Sequence, residues 1–214
     1  MVDSSNPKIS HITIALESMI DKEQFGGQRF GRTAVFPVIG ELVAQPVEAL
    51  VCAANRRGLM GSGEAGAIRL AGGAEIEREA MAQAPLTPGS ALLTSSGLLA
   101  ARDVRVIIHA VVNNDLGAPT RLDTVRRAIQ AVLLVADAGR VRSIAVPALG
   151  RGTGPDRLSM TTVAAALVEE IVGHLRRSSS RIERLLLIGR EEEESRLYTK
   201  LLTQARDRSW PEPR

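Results

Sequence analysis

Short apolar runs alternate with longer stretches of helical periodicity along most of the chain, and several runs are apolar without alternation, as in Val106-Ile107-Ile108. A strand that is apolar at every position is buried on both faces, as in parallel or mixed sheets covered by helices. Strands are expected at residues 12–16, 34–39, 49–53, 91–94, 104–110, 143–147 and 184–188. Between them, residues 122–137 place Leu122, Val125, Ile129, Val132, Leu133 and Ala136 on one stripe, and residues 160–175 repeat Val163, Leu167, Ile171 and Leu175. Both patterns describe helices with one core-facing side. Thr120 with Asp123 resembles a capping box with a shortened acid, and Asp156 is placed to cap the helix that follows it. A further helix at 191–204 opens on Glu191 to Glu194, acids suited to the positive end of a helix dipole. Strands alternating with helices imply one three-layer α-β-α domain of the α/β class around a central mixed, largely parallel sheet.

Composition narrows the setting. Hydrophobic residues make up 44% of 214 residues, enough for a packed core without staples. Cys52 is the single cysteine, which excludes an intramolecular disulfide and a Cys-rich zinc site and suits a reducing compartment. The N-terminus lacks the basic-then-apolar order of a signal peptide, and no apolar run reaches the roughly 20 residues that span a bilayer. The expectation is a cytoplasmic protein with no membrane partner. His11, His109 and His174 are scattered, so no metal is expected, nor is a cofactor; His109, in an apolar run, is expected to be a hydrogen-bonded core residue. The net charge of +3 rests almost wholly on arginine and suits a phosphate-bearing ligand. With only Phe25, Phe30, Phe36, Tyr198 and Trp210 as aromatics, the chain offers few platforms for stacking bases, and nucleic acid is not an expected partner. Residues 1–33 read as an N-terminal extension, 34–206 as the folded domain and 207–214 as a flexible tail. Residues 24–32 are a Gly-rich loop in which Phe25 and Phe30 are placed to cover a cleft. The sequence carries no reading of oligomeric state.

Two glycine-rich loops carry the functional signal. One follows the run at 49–53 and reads Ala54-Asn55-Arg56-Arg57-Gly58-Leu59-Met60-Gly61-Ser62-Gly63-Glu64-Ala65-Gly66; the other follows 143–147 and reads Ala148-Leu149-Gly150-Arg151-Gly152-Thr153-Gly154. Each leaves a strand and enters a helix. Glycine lets the backbone approach an anion closely, several N–H groups converge there, and the helix start adds positive partial charge. Two such loops side by side would hold a diphosphate. The stretch from Gly61 to Gly66 also fits G-x-G-x-x-G, but its first glycine stands well beyond the strand end and no acid follows at residues 84–90, so the dinucleotide fingerprint is rejected. No glycine precedes a lysine and no G-x-S-x-G elbow occurs, which removes a Walker loop and a serine hydrolase.

At these residues the chain resembles the macrodomain family, over about Val35 to Ile188. Ile39-Gly40-Glu41-Leu42 resembles the family's Gly-Asp-Ile, Cys52-Ala53-Ala54-Asn55 its Asn-Ala-Ala-Asn, and the stretch from Gly61 to Ile68 its glycine run into a helix. Pro88-Gly89-Ser90-Ala91, Val106-Ile107-Ile108-His109-Ala110 and Pro147-Ala148-Leu149-Gly150-Arg151-Gly152 resemble further signatures, in the family's order. The resemblance implies a macrodomain-like fold and a cleft for ADP-ribose or an ADP-ribosylated macromolecule. It puts Glu41 at the adenine, Asn55 at the distal ribose, and Gly61, Ser62, Gly63, Glu64, Ala65, Gly150, Arg151, Gly152, Thr153 and Gly154 around the diphosphate, with Leu42 and Ala54 also among the ligand-binding residues. Glu41 is longer than the usual aspartate, Ala65 stands where hydrolytic members of one branch carry aspartate, no lysine matches the nucleophile of another, and the aromatic of the second loop is missing. Two readings therefore stand beside each other: a hydrolase of ADP-ribosyl bonds with Asn55 orienting the ribose, Glu64 as general base and Arg151 clamping a phosphate oxygen, and a non-catalytic reader. A protein-interaction domain with a degenerate pocket is the third.

Overall fold

The computed structural model describes residues 27–113, 119–151, 157–177 and 179–207. The expected strand at 12–16, Phe25, the stretch from Gly152 to Asp156 and the tail beyond 207 lie outside the described residues. The strands are β1 (Gln28–Phe30), β2 (Thr33–Ile39), β3 (Ala49–Asn55), β4 (Ala91–Ser95), β5 (Val106–Asn113), β6 (Ser143–Pro147) and β7 (Arg184–Gly189). They form one sheet in the order β1-β2-β7-β6-β3-β5-β4. The five inner strands run parallel, and the two edge strands, β1 and β4, are antiparallel to their neighbours.

The helices are α1 (Gly63–Gly72), α2 (Glu75–Ala82), α3 (Leu122–Ala138), α4 (Met160–Arg177) and α5 (Glu192–Asp207), with short 3-10 turns at Leu42–Ala44 and Gly97–Arg102. The period of two along each inner strand sends alternate side chains to opposite faces. Ala49, Val51, Ile108, Ile144, Val146, Leu185 and Leu187 face the stripes of α3, α4 and α5. Leu50, Cys52, Ile107, Ala145, Leu186 and Ile188 meet α1, α2 and the 3-10 turns. Continuous apolar runs are thus the sum of two half-patterns, one per helical layer. Among the described residues no helix is long and apolar enough to cross a membrane.

A chain of hydrogen bonds ties the entrances of the five parallel strands. Ala34 N donates to Glu183 O at 2.8 Å, Glu183 N to Arg142 O at 2.7 Å, and Arg105 N to Glu48 O at 2.7 Å. The Glu48 carboxylate closes the gap by accepting Arg142 N at 2.8 Å. It also meets the guanidiniums of Arg105 at 3.2 Å and Arg142 at 3.4 Å. Burial alone would raise the Glu48 carboxyl, but these donors and charges outweigh it and hold it below the usual carboxylate range.

Several local expectations are corrected. Residues 28–30 of the expected loop are strand β1, and Phe30 does not cover a cleft: it is 2% exposed in the core, with the Arg176 guanidinium 5.4 Å from its ring centre. Thr120 does not cap α3. Its hydroxyl donates to Asn113 Oδ1, and Arg121, at the cap position, makes no side-chain cap bond. Ahead of α4 the Ser159 hydroxyl accepts Thr162 N at 3.1 Å; the expected cap, Asp156, lies outside the described residues. His109 is only half satisfied: Nε2 meets Thr94 Oγ1 at 2.9 Å while Nδ1 has no partner among the described residues.

Candidate functional site

The sheet opens between β3 and β6. These strands pair only at Ala49 with Ile144 and Leu50 with Ala145, whereas β3 stays with β5 as far as Asn55 and Asn113. Beyond β3 the chain turns toward β4 and β5, and beyond β6 toward β7. Such a divergence at the carboxyl ends of parallel strands is where ligands enter open α/β sheets. Both glycine-rich loops start there.

The first loop is built stiffly. Asn55, buried at the end of β3, accepts Arg57 N at 3.0 Å and Leu59 N at 3.3 Å through Oδ1, and donates to Leu59 O at 2.8 Å. Gly58 takes φ +72, and a Cβ there would come within 2.8 Å of the Ala80 main chain, so only glycine lets the loop lie against the end of α2. Glu77 on α2 accepts Met60 N at 2.7 Å and is held by Arg69 at 2.6 Å. The loop then delivers Gly61, Ser62 and Gly63, all exposed, to the start of α1. Ser62 is the N-cap of α1 but makes no side-chain cap bond, so the first-turn N–H groups of the helix are left without an intrahelical acceptor. A Cβ on Gly61 or on Gly63, which has φ +59, would meet nothing within 4 Å. Open space therefore adjoins an uncapped helix start, an anion-seeking arrangement.

Two ion pairs flank this opening. Arg190, just past β7, meets Glu64 at 3.1 Å. Arg151, in the second loop, pairs with Glu194 on α5, whose other oxygen accepts Arg190 N at 2.8 Å. Glu64 sits in the first turn of α1, where its charge opposes an incoming anion; Arg190 offsets that charge. Beneath the loop, burial and then the charge of Glu64 push the Cys52 thiol up to about 12, so it is a packed thiol and no nucleophile. The Tyr198 hydroxyl is buried with no hydrogen-bond partner among the described residues. Among the described residues no group of His, Cys, Asp and Glu is placed to hold a metal ion.

The Macro domain family profile matches residues 51–166. The chain belongs to the macrodomain family. It is 37% identical over 166 residues, 77% of this chain and 95% of the relative, to an uncharacterized protein of Aquifex aeolicus. It is 31% identical over 173 residues, 78% of this chain and 94% of the relative, to the O-acetyl-ADP-ribose deacetylase of Citrobacter rodentium. Two solved structures share the fold. The Oceanobacillus iheyensis macrodomain with ADP has a TM-score of 0.72 at 20% identity, covering 83% of this chain and 94% of that one. The Trypanosoma brucei macrodomain in complex with ADP-ribose has a TM-score of 0.66 at 24% identity, covering 78% and 68%.

Within this macrodomain the expected site residues fall into groups. Asn55, Gly61, Ser62, Gly63, Glu64 and Ala65 are gathered on one continuous loop and helix start, and Gly150 and Arg151 lie at the end of β6 on the other side of the divergence. Gly150 takes φ +79, and a Cβ there would strike Thr120 and Val125 at 2.7 Å. Glu41 is exposed at the end of β2, ahead of a turn that packs on α1. Leu42 and Ala54 point into the core, at 4% and 5% exposure, leaving their backbones for a ligand. Gly152, Thr153 and Gly154 lie outside the described residues. The sequence reading missed Arg190 and Glu194 as the partners of Glu64 and Arg151. The signal was available for Arg190, because it directly follows the Arg184–Gly189 strand, at the sheet edge where ligands collect.

Proposed function

We propose that the protein binds ADP-ribose, free or attached to a macromolecule, in the crevice between the carboxyl ends of β3 and β6. The observation that carries this reading is the uncapped start of α1 opening into glycine-lined space at that crevice. The diphosphate lies against the N–H groups from Gly61 to Ala65 and against the loop beginning at Gly150 and Arg151. Glu41, exposed at the end of β2, accepts from the adenine amine. Asn55 acts on the distal ribose mainly by shaping the loop, with its second amide hydrogen available to a ribose hydroxyl. The compartment is the cytoplasm, a reading supported by the single, buried cysteine.

Calorimetric titration with ADP-ribose tests the site, with Gly61→Glu as the control. A Cβ at Gly61 meets nothing, so the variant keeps its melting temperature while placing a carboxylate in the anion seat. Micromolar binding that weakens at least about tenfold in the variant is expected, the scale of one lost charge-assisted contact. No heat at millimolar ligand refutes the proposal. The similarity to the Citrobacter rodentium deacetylase supports a second activity at the same cleft, hydrolysis of an acyl ester on the distal ribose. There Glu64 takes a proton from water as its oxygen attacks the acyl carbon, and the ribose oxygen leaves protonated. Acetate release from O-acetyl-ADP-ribose, abolished by Glu64→Gln, is the expected result; turnover unaffected by that change removes Glu64 from the mechanism.

A further inference from the structure

A second cleft, of about 490 Å³, adjoins the first loop and is lined by Arg56, Arg57, Leu59, Met81, Ala84 and Pro85. Leu59, on its lining, is the residue whose main chain Asn55 holds, so the cleft neighbours the residue proposed above to act on the distal ribose. The main chain that carries its two arginines is held in place. Arg56 N donates to Asn113 O at 3.0 Å and Leu86 N donates to Arg56 O at 2.7 Å, while Arg57 N is held by Asn55. Both arginine side chains are exposed, and neither pairs with an acid among the described residues. The nearby acids of α2 are committed elsewhere, Glu77 to Arg69 and Met60, and Glu79 to Ser95. The remaining walls are aliphatic, with Met81 45% exposed.

We propose that this cleft receives an acidic peptide segment next to an ADP-ribosylated residue, with Arg56 and Arg57 reading its carboxylates and Leu59, Met81 and Pro85 covering its apolar atoms. The inference rests on the ADP-ribose reading above. Charge complementarity selects the occupant: two exposed guanidiniums with no acid partner among the described residues match carboxylates in bidentate geometry. Among the described residues the walls hold no aromatic ring, which disfavours a nucleic acid, whose bases would need one to stack on.

Three conjugates test it, each carrying ADP-ribose joined through its distal ribose by an oxime: a glutamate-rich peptide, the same peptide with glutamines, and a short oligonucleotide. Two partly exposed ion pairs give the glutamate conjugate a roughly five- to tenfold tighter Kd than the glutamine conjugate. The preference shrinks in high salt and disappears in the Arg56→Gln/Arg57→Gln variant, whose affinity for ADP-ribose itself is unchanged. Equal binding of the two peptides by the unaltered protein, with ADP-ribose still binding, overturns this inference and leaves the ADP-ribose site standing. Tightest binding of the oligonucleotide overturns it in favour of a nucleic-acid partner. Failure of ADP-ribose itself to bind overturns both readings together.

Discussion

Replacing Asn55 by alanine is expected to destabilise the protein before it touches any ligand. The side chain accepts two main-chain N–H bonds, from Arg57 at 3.0 Å and Leu59 at 3.3 Å, and donates one at 2.8 Å to Leu59 O. Alanine removes all three and strips the loop of its local scaffold. Each bond contributes about 0.5–1.5 kcal/mol net; the Arg57 amide is exposed enough to recover a water, and the longer Leu59 bond is weaker, so the loss sums to about 2–3 kcal/mol. For a domain of this size that lowers the melting temperature by roughly 5–10 °C. Asn55→Asp keeps the acceptor oxygen but turns a carboxylate oxygen toward the Leu59 carbonyl, and falls between alanine and the original. Urea titration and thermal melts without ligand measure both. An Asn55→Ala protein within about 0.5 kcal/mol of the parent, a margin set by additivity error, refutes the loop-scaffold account. Loss of ADP-ribose binding in Asn55→Ala then needs the melt beside it, because a collapsed loop and a lost ribose contact give the same heat.

Tyr198→Phe removes a buried hydroxyl that has no partner among the described residues and is expected to leave stability unchanged or raise it by up to about 1 kcal/mol; a clear loss in urea titration would show that the hydroxyl is bonded. His109 is held neutral, its pKa lowered from 6.5 to about 4 by burial, with the charge of Glu79 opposing. The unfolded chain therefore binds the proton first, so His109 leaves stability whole above about pH 6.5 and removes about 3 kcal/mol as the pH falls to 4. His109→Gln should flatten that part of the pH–stability curve, and an unchanged slope would assign the acid sensitivity to other groups. Gly58→Ala forces a Cβ to within 2.8 Å of the Ala80 main chain at φ +72 and should cost about 2–4 kcal/mol; a melt within a degree of the parent would mean that the loop moves off α2 freely.

The sheet and the three long helices were legible because their signals are strong. Val106-Ile107-Ile108 is apolar throughout, and the stripes of α3 and α4 repeat over several turns. What escaped has physical causes. The glycine loop announced the start of α1, but α2 is only eight residues long (Glu75–Ala82), too short for a helical period to stand out. Strand β1 is three residues long and exists through pairing with β2. Thr120 and Asp123 match a capping pattern locally, but the hydroxyl is drawn to Asn113 across the fold, a long-range choice that no local pattern encodes. At the site, the gathering of Asn55 and the glycines was readable from order along the chain. The pairings of Glu64 with Arg190 and Arg151 with Glu194 join residues over 40 positions apart, and charge alone did not say which partners meet.

The hydrogen bonds through Glu48, Arg142 and Glu183 have a consequence for how this fold can diversify. They clamp the strand entrances, so the loops at the opposite rim begin and end on anchored chain. Lengthening a loop whose ends are already fixed costs little, about 0.6 kcal/mol for each doubling. Recognition at the open rim can therefore drift in length and chemistry without renegotiating the register of a single strand.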